Sequence, residues 1–254
     1  NRGTRFFDKV LAGCQGKRVV LYGYEPDCDG IIRNVSSGTD GCRFELGWKG
    51  NWYAFESSLV GSFNVENLTA AILAAFLMGL DPGTIQEGIR YIHIPGRMML
   101  MEYDGNHIVV DYAHNRLSFQ KVYEAVRETF SPRHIHAVFG SAGERSPLRK
   151  KDMGELAQQY ADFVYLTEDD PGFEKVEDIC REIQSHITKP CQIIPDRETA
   201  VRTALDAAEP GDVVILAGKG AEVTQRVKGT FVPYISDAKA AQKWIAEKRM
   251  RKRP

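Results

Sequence analysis

The chain has 254 residues, of which 43% are apolar and 26% are charged, as in an ordinary globular protein. Its 33 basic and 34 acidic residues give a formal net charge of −1, which excludes the broad basic surface of a nucleic-acid-binding or membrane-surface protein. Five cysteines without a Cys-x-x-Cys pair favour free thiols in a reducing cytoplasm.

The first third of the chain is predicted to form a small meander of strands followed by two helices. Runs of β-branched and aromatic residues alternate there with turns that contain glycine. The predicted strands cover residues 18–24, 31–37, 43–48 and 52–57, and the predicted helices cover residues 64–79 and 82–91.

Beyond residue 97 strands and helices alternate. A hairpin over 98–103 and 107–111 precedes strands at 134–140, 163–167, 192–194 and 213–217, with helices at 150–160, 176–186, 198–208 and 237–248. Continuous apolar strands separated by amphipathic helices predict an α/β fold with a doubly wound, mostly parallel sheet covered on both faces. We place the boundary between the two units at residues 94–97.

Gly218-Lys219-Gly220 follows a predicted strand and has part of the pattern of a phosphate-binding loop. A P-loop requires Gly at 213 and Ser or Thr at 220, where this chain has Val213 and Gly220. A dinucleotide-binding fingerprint fails as well, because Val223 replaces its third glycine. The glycines still allow the backbone to approach a ligand at the carboxyl end of a strand.

Asp111, His114 and Asn115 follow another predicted strand. A carboxylate at that position can bind ribose hydroxyls, and the other two side chains can contact a base or phosphates. The alternative is that Asp111 or Asn115 only caps the next helix.

Two more loops complete the same predicted edge of the sheet. Arg145 lies in a small-residue loop, where it can hold a carboxylate by two hydrogen bonds or simply be solvated. Three acids, including Asp169 and Asp170, suit a cation or an ammonium group, although they can also form a helix-capping turn. Four such loops at one sheet edge describe a cleft.

Taken in order, these motifs resemble the Mur ligase family, and most closely its UDP-N-acetylmuramoyl-tripeptide synthetase branch. Pro95-Gly96-Arg97-Met98 is similar to the junction that enters the family's C-terminal domain. The other matching segments are residues 59–67, 109–114, 139–140, 169–171 and 217–220. The resemblance implies that residues 1–96 are the C-terminal portion of a central ATP-binding domain and that residues 97–254 are the C-terminal ligase domain.

The resemblance implies an ATP-dependent amide-bond ligase of peptidoglycan precursor synthesis. Such an enzyme adds a diamino acid to UDP-MurNAc-L-Ala-D-Glu through an acyl phosphate, with ATP and Mg²⁺. The family's UDP-binding domain, its P-loop and its magnesium ligands would belong to a region upstream of these residues. We therefore expect the 254 residues alone to be inactive, and residues 1–96 to leave apolar surface and an unpaired strand edge.

The resemblance also implies roles for individual residues. The implied nucleotide-binding residues are Asn64 and Asn67 near the adenine, Arg97 at the phosphates, Asp111 at the ribose, and His114 and Asn115 at the nucleotide. The implied amino-acid-binding residues are Arg145 at the carboxylate, and Asp169, Asp170, Gly218 and Glu222 around the side chain. No catalytic residue and no metal ligand is assigned within the chain.

One departure bears on the added amino acid. Relatives that add diaminopimelate carry Asn-Pro-Arg where this chain has Asp170-Pro171-Gly172. Without an arginine at 172, the acids at 169, 170 and 222 favour a side-chain ammonium, so L-lysine, or another diamino acid without the distal carboxylate, is preferred.

The alternatives to a peptidoglycan ligase are a non-catalytic module that binds nucleotide or amino acid, and ligases of the same fold such as folylpolyglutamate synthase and cyanophycin synthetase. The oligomeric state is left open.

Overall fold

The computed structural model describes residues 1–251 and divides the chain into two compact units, with the division between His93 and Ile94. The sequence placed this boundary at residues 94–97. Within the described residues no helix combines the length and apolar character that a membrane crossing requires.

The first unit is a four-stranded sheet packed against two helices. Its sheet order is β1-β2-β3-β4, with β1 parallel to β2 and the others antiparallel. Side chains such as Phe44, Leu46 and Ile72 form the core between sheet and helices. The elements are α1 (Phe7–Ala12), β1 (Tyr22–Gly23), β2 (Gly30–Gly38), β3 (Gly41–Trp48), β4 (Asn51–Ser57), α2 (Phe63–Leu77) and α3 (Pro82–Arg90).

The predicted strand at 18–24 was wrong in length, because only Tyr22–Gly23 pairs as β1. A run of strand-forming residues becomes a strand only where a neighbouring strand satisfies its backbone, and here β2 is its only partner among residues 1–251. The helix α1 was not predicted, and it buries none of its residues. Phe6 and Val10 are 59% and 60% exposed, so this end of the unit presents apolar surface.

The second unit has a six-stranded sheet of order β5-β6-β10-β7-β8-β9, parallel except for β5, which runs antiparallel to β6. All residues of β7 and β10 are buried, which requires cover on both faces. The predicted α/β class and mostly parallel sheet are confirmed. The elements are β5 (Met99–Tyr103), β6 (Asn106–Asp111), α4 (Arg116–Phe130), β7 (Ile135–Phe139), α5 (Pro147–Tyr160), β8 (Phe163–Leu166), α6 (Val176–Gln184), β9 (Cys191–Ile193), α7 (Arg197–Ala207), β10 (Val213–Ala217), β11 (Thr224–Val227), β12 (Thr230–Pro233) and α8 (Asp237–Arg251).

A small hairpin of β11 and β12 was missed by the sequence analysis. Its strands are short and polar, so they lack the apolar alternation that identifies strands. The available signal was Lys228-Gly229, whose residues both have positive φ angles of 49° and 78°, as in a tight two-residue hairpin turn. The hairpin is joined to the loop after β8, since the Gly172 N–H donates to the Arg226 carbonyl at 3.1 Å.

Candidate functional site

The loops that follow β6, β7, β8 and β10 meet at one edge of the second unit's sheet. The Gly218 N–H donates to the Asp111 carbonyl at 3.1 Å, which joins the ends of β10 and β6. A Cβ atom on Gly218 would lie 2.6 Å from an Asp169 carboxylate oxygen, and one on Gly140 would lie 2.1 Å from the Thr167 carbonyl. These approaches require glycine, and they bring the four predicted loops together.

Asp111 is 5% exposed and braces two backbone segments. Its two carboxylate oxygens accept the N–H groups of Met98 at 2.8 Å and Ala113 at 2.7 Å. Burial raises the pKa of Asp111, although the two amide hydrogen bonds and the charge of Arg97 oppose that rise. The carboxylate therefore fixes the junction before β5 against the loop after β6, and it does not cap a helix.

Asn115 is the residue that caps α4. Its side-chain oxygen accepts the Ser118 N–H at 3.1 Å, and the Ser118 hydroxyl accepts the Asn115 N–H at 3.2 Å. This reciprocal pair is a capping box. Of the two capping alternatives left open by the sequence, the one for Asn115 is confirmed and the one for Asp111 is wrong.

Arg97 and His114 both contact the ring of Tyr112 at the same edge. The exposed Arg97 guanidinium lies 4.5 Å from the centre of the Tyr112 ring, and it forms no ion pair within residues 1–251. The His114 Nδ1 atom is 2.8 Å from the Tyr112 carbonyl, and its ring meets the Tyr112 ring edge-on. Burial, together with Glu222, raises the pKa of Tyr112. Tyr112 thus joins the predicted nucleotide residues to the predicted amino-acid pocket.

Lys219 lies among the predicted pocket acids, and we call Lys219, Asp170 and Glu222 the lysine-centred cluster. Its Nζ atom is 2.9 Å from Asp170 Oδ1 and 2.8 Å from Glu222 Oε2, and it donates to the Thr224 carbonyl at 2.9 Å. Burial lowers the pKa of Lys219, but the bonds to Glu222 and Asp170 outweigh it and leave the pKa raised. The sequence analysis counted the acids and overlooked the cation that already lies between them.

Asp169 and Arg197 lie deeper at the same edge. Asp169 is 6% exposed, and burial raises its pKa against the opposing charges of Arg197 and Lys219. Arg197 is fully buried, forms a two-point pair with Asp237 in which both N–O distances are 2.8 Å, and donates to the carbonyls of Glu168 and Ala217. Arg197 was missed because its partner lies 40 residues away in the chain.

Two arginines at the start of α5 have no such partners. Arg145 is exposed and forms no ion pair with any residue that the structure describes. Arg149 is half-buried, and its Nε atom is shielded from solvent without a hydrogen-bond partner. Burial lowers the pKa of Arg149, Arg145 lowers it further, and Asp169 opposes both. The sequence singled out Arg145 and missed Arg149.

Gly172 ends the acidic loop in a left-handed conformation, with φ of 62°. The Arg226 Nη2 atom pairs with Glu144 Oε2 at 2.9 Å. A Cβ atom on Gly172 would lie 2.7 Å from that oxygen and 3.3 Å from that nitrogen. The fold therefore places a guanidinium, already paired with a carboxylate, beside position 172.

Asn64 and Asn67 belong to the first unit, at the start of α2. The buried Asn64 amide donates to the Val60 carbonyl at 2.7 Å, and the exposed Asn67 amide donates to Asn64 Oδ1 at 3.1 Å. These bonds orient Asn67 while leaving its own oxygen available. Across residues 1–251, no three His, Cys, Asp or Glu side chains are grouped so that they could hold a metal ion.

Comparisons with known proteins identify relatives of this chain. Residues 96–220 match the family model described as Mur ligase, glutamate ligase domain. The chain is 33% identical over 238 residues to the UDP-N-acetylmuramoyl-L-alanyl-D-glutamate–2,6-diaminopimelate ligase of Aquifex aeolicus, covering 93% of this chain and 48% of that protein. It is 40% identical over 195 residues to the UDP-N-acetylmuramoyl-L-alanyl-D-glutamate–L-lysine ligase of Streptococcus pyogenes, covering 75% and 40% respectively.

A solved structure of a UDP-N-acetylmuramoyl-L-alanyl-D-glutamate–2,6-diaminopimelate ligase matches the fold with a TM-score of 0.60 and 29% sequence identity. That match covers 96% of this chain and 52% of the solved one. The chain thus spans about half the length, or less, of the proteins it matches.

Proposed function

The chain belongs to the Mur ligase family, and on that premise we propose that it is the part of an ATP-dependent amide-bond ligase that holds the incoming amino acid and contributes to the nucleotide site. The reaction would serve peptidoglycan precursor synthesis. The observation that carries this proposal is the convergence at one sheet edge of the loops containing Asp111, Arg145, Asp169 and Gly218. The five free thiols support a cytoplasmic location.

The proposed nucleotide residues fit a polyphosphate nucleotide. The Arg97 guanidinium is exposed and unpaired within residues 1–251, so it can bind phosphate oxygens, and His114 lies beside it against Tyr112. Each Asp111 oxygen accepts one amide bond and retains a lone pair for a ribose hydroxyl. Asn115 uses its oxygen as a helix cap, which leaves its amide N–H₂ for the nucleotide.

In the first unit, Asn64 and Asn67 are proposed to lie near the adenine, since Asn67 retains a free side-chain oxygen. ATP, as a substrate, would supply the phosphoryl group that activates the acceptor carboxylate. Mg²⁺ would offset phosphate charge, and we assign no ligand for it within residues 1–251.

The proposed chemistry is amide formation through an activated acyl group. A phosphoryl group passes from ATP to the carboxylate of UDP-MurNAc-L-Ala-D-Glu, which gives an acyl phosphate and ADP. The amine of the incoming amino acid attacks the carbonyl carbon of the acyl phosphate, and the amide forms as phosphate and a proton leave. Within the chain, the task is orientation: Arg145 holds the amino acid's carboxylate, while Asp170 and Glu222 hold its side chain. Fixing both ends of the amino acid directs its amine at the reacting carbon.

We propose that the incoming compound is a diamino acid, with L-lysine preferred. Lys219 neutralises one charge of the lysine-centred cluster, so its two acids retain one excess negative charge for an ammonium group. The Arg226–Glu144 pair beside Gly172 is balanced and adds no net positive charge. The matched relatives include both an L-lysine ligase and a diaminopimelate ligase, so the charge argument decides this preference.

A ligase assay tests the proposal. The encoded full-length protein is incubated with ATP, Mg²⁺ and UDP-MurNAc-L-Ala-D-Glu, with L-lysine and meso-diaminopimelate in separate reactions. We expect phosphate release with L-lysine that Arg145→Gln lowers at least tenfold, and no release from the 254 residues alone, which lack a P-loop sequence. Exposed Lys239→Gln serves as the control variant.

Each other outcome corrects a different part of the proposal. Release with meso-diaminopimelate only would keep the ligase assignment and overturn the lysine preference. Release with neither amino acid would overturn the proposed function. Release by the 254 residues alone would show that phosphoryl transfer does not need the P-loop.

A further inference from the structure

The start of α5 carries two cationic side chains, and neither forms an ion pair within residues 1–251. Arg145 precedes the helix, and Arg149 lies in its first turn. Burial is the main cause of the lowered pKa of Arg149; the charge of Arg145 lowers it further, and the carboxylate of Asp169 opposes both. Two neighbouring cations are unfavourable unless an anion joins them.

Helix stability does not explain Arg149. The first turn of a helix is the positive end of its dipole, where acidic side chains stabilise and basic ones do not. Ser146 already caps α5 through the Leu148 N–H, and Pro147 supplies the first residue. Arg149 therefore opposes the helix dipole and adds nothing to the cap.

The acids of the surrounding loops and helices are bound elsewhere. Asp169 is the acid that attracts Arg149, but it forms no ion pair with it and is shared with Arg197 and Lys219. The other acids pair at 2.6–2.9 Å as Glu144 with Arg226, Glu174 with Lys150, and Asp152 with Arg116. The protein thus pairs its other cations here with acids, and it leaves Arg145 and Arg149 without an ion pair within residues 1–251.

The Nε atom of Arg149 is the second, independent observation. It is shielded from solvent, and no group in residues 1–251 accepts its hydrogen bond. A buried donor without an acceptor is rare in native proteins, and it commonly marks an absent water, ion or ligand. The fork of an arginine matches the paired oxygens of a carboxylate or phosphate.

We propose that Arg145 and Arg149 together form a binding site for one small oxyanion, and that Arg149 is a second anion-binding residue of the amino-acid pocket. The shared chemistry is a planar or tetrahedral group with two or three negatively charged oxygens. Its two sources are the α-carboxylate of the incoming amino acid and a phosphate group. The carboxylate source rests on the proposed function, whereas the anion site itself does not.

The test follows the arginine Nε–H signals of the 254-residue chain by ¹H–¹⁵N NMR at constant ionic strength. The Arg149 and Arg145 signals are assigned as those missing from Arg149→Lys and Arg145→Lys. The probes are L-lysine, inorganic phosphate, and cadaverine, which is lysine without its carboxylate. We expect L-lysine, through its carboxylate, or inorganic phosphate to shift both signals together, and we expect cadaverine to shift neither.

Variants then distinguish anion binding by Arg145 and Arg149 from nonspecific attraction to other surface cations. Arg149→Met is expected to weaken binding of the responding anion at least tenfold. Lys151→Met, an exposed neighbour on the same helix, is expected to change it less than twofold. Arg149→Lys keeps the charge without the fork, and it should bind the anion less tightly than the parent chain.

The outcomes distinguish the sources. A response to L-lysine alone assigns the site to the amino-acid carboxylate, and a response to phosphate alone assigns it to a phosphoryl group. In the second case the ligase assay still judges the proposed function separately. The proposal is overturned if neither probe moves the Arg149 signal, or if Lys151→Met weakens binding as much as Arg149→Met.

Discussion

Arg197 and Arg149 are two arginines of the same unit whose surroundings differ. Both lie in the first turn of a helix, and both interact with the buried carboxylate of Asp169. Arg197 is 0% exposed, and its donors reach Asp237 and two backbone carbonyls. Arg149 is half-buried and leaves its Nε–H without an acceptor. An arginine whose hydrogen-bond donors are satisfied within its own chain stabilises the fold, whereas one with an unsatisfied donor is available to a ligand.

Of the substitutions that test this comparison, replacing Arg197 should lower the free energy of unfolding most. Arg197→Met leaves the fully buried Asp237 without its ionic partner, and removing one member of a buried pair costs about 3–5 kcal/mol. Urea unfolding followed by circular dichroism measures this loss. Lys243→Met breaks the half-exposed pair with Glu198 and should cost less than about 1 kcal/mol. Equal losses of stability in the two variants would show that the buried Arg197–Asp237 pair matters no more to the fold than an exposed pair.

Asp169 interacts with the charges of both arginines, and the pH dependence of its contribution to stability sharpens the comparison. Burial raises its pKa in the folded state, so the fold favours the protonated form. Its contribution to stability is present below the unfolded pKa of about 4 and is lost as pH rises through the folded pKa.

Asp169→Asn should therefore be more stable than the parent chain at pH 7, by an amount on the order of 1 kcal/mol. The difference should vanish below about pH 4. Urea unfolding at several pH values measures it, with the exposed Asp178→Asn as the control. If Asp169→Asn is less stable than the parent chain at pH 7, the attraction of Arg197 and Lys219 outweighs burial. The pKa of Asp169 is then lowered by folding and not raised.

Arg149→Met should have the smallest effect on stability, within about 1 kcal/mol of the parent chain. The variant removes a guanidinium that forms no ion pair within residues 1–251 and keeps most of the packing of its stem. The same urea experiment measures this value. A loss comparable to that of Arg197→Met would contradict the comparison, because Arg149 would then be a structural cation.

Much of the fold could be predicted from the sequence, and each failure has an identifiable physical cause. The strands ending at Asp111 and Ala217 were found because buried parallel strands are continuous apolar runs. The strand predicted at 18–24 shrank to two residues because pairing, unlike propensity, depends on a neighbouring strand. The polar hairpin of β11 and β12 lacked any periodic signal.

The candidate site divides in the same way. The positions of its loops follow from strand order in an α/β sheet, so Asp111, Arg145 and Asp170 could be singled out in advance. Their charge balance could not be predicted, because Lys219 reaches Asp170 across 49 residues and Arg226 reaches Glu144 across 82. An acid count along the chain therefore overstated the free negative charge.

By itself, the sequence determined the alternation of strands and helices, the family and the edge of the sheet where polar loops gather. The alternation and the edge follow from periodicity and glycine placement, which are local properties of the chain. The family follows from the resemblance of the ordered motifs. Only the tertiary structure decided which charges are satisfied, since ion pairs form between segments that folding brings together. That difference separates Arg197, which the fold uses, from Arg149, which it leaves for a ligand.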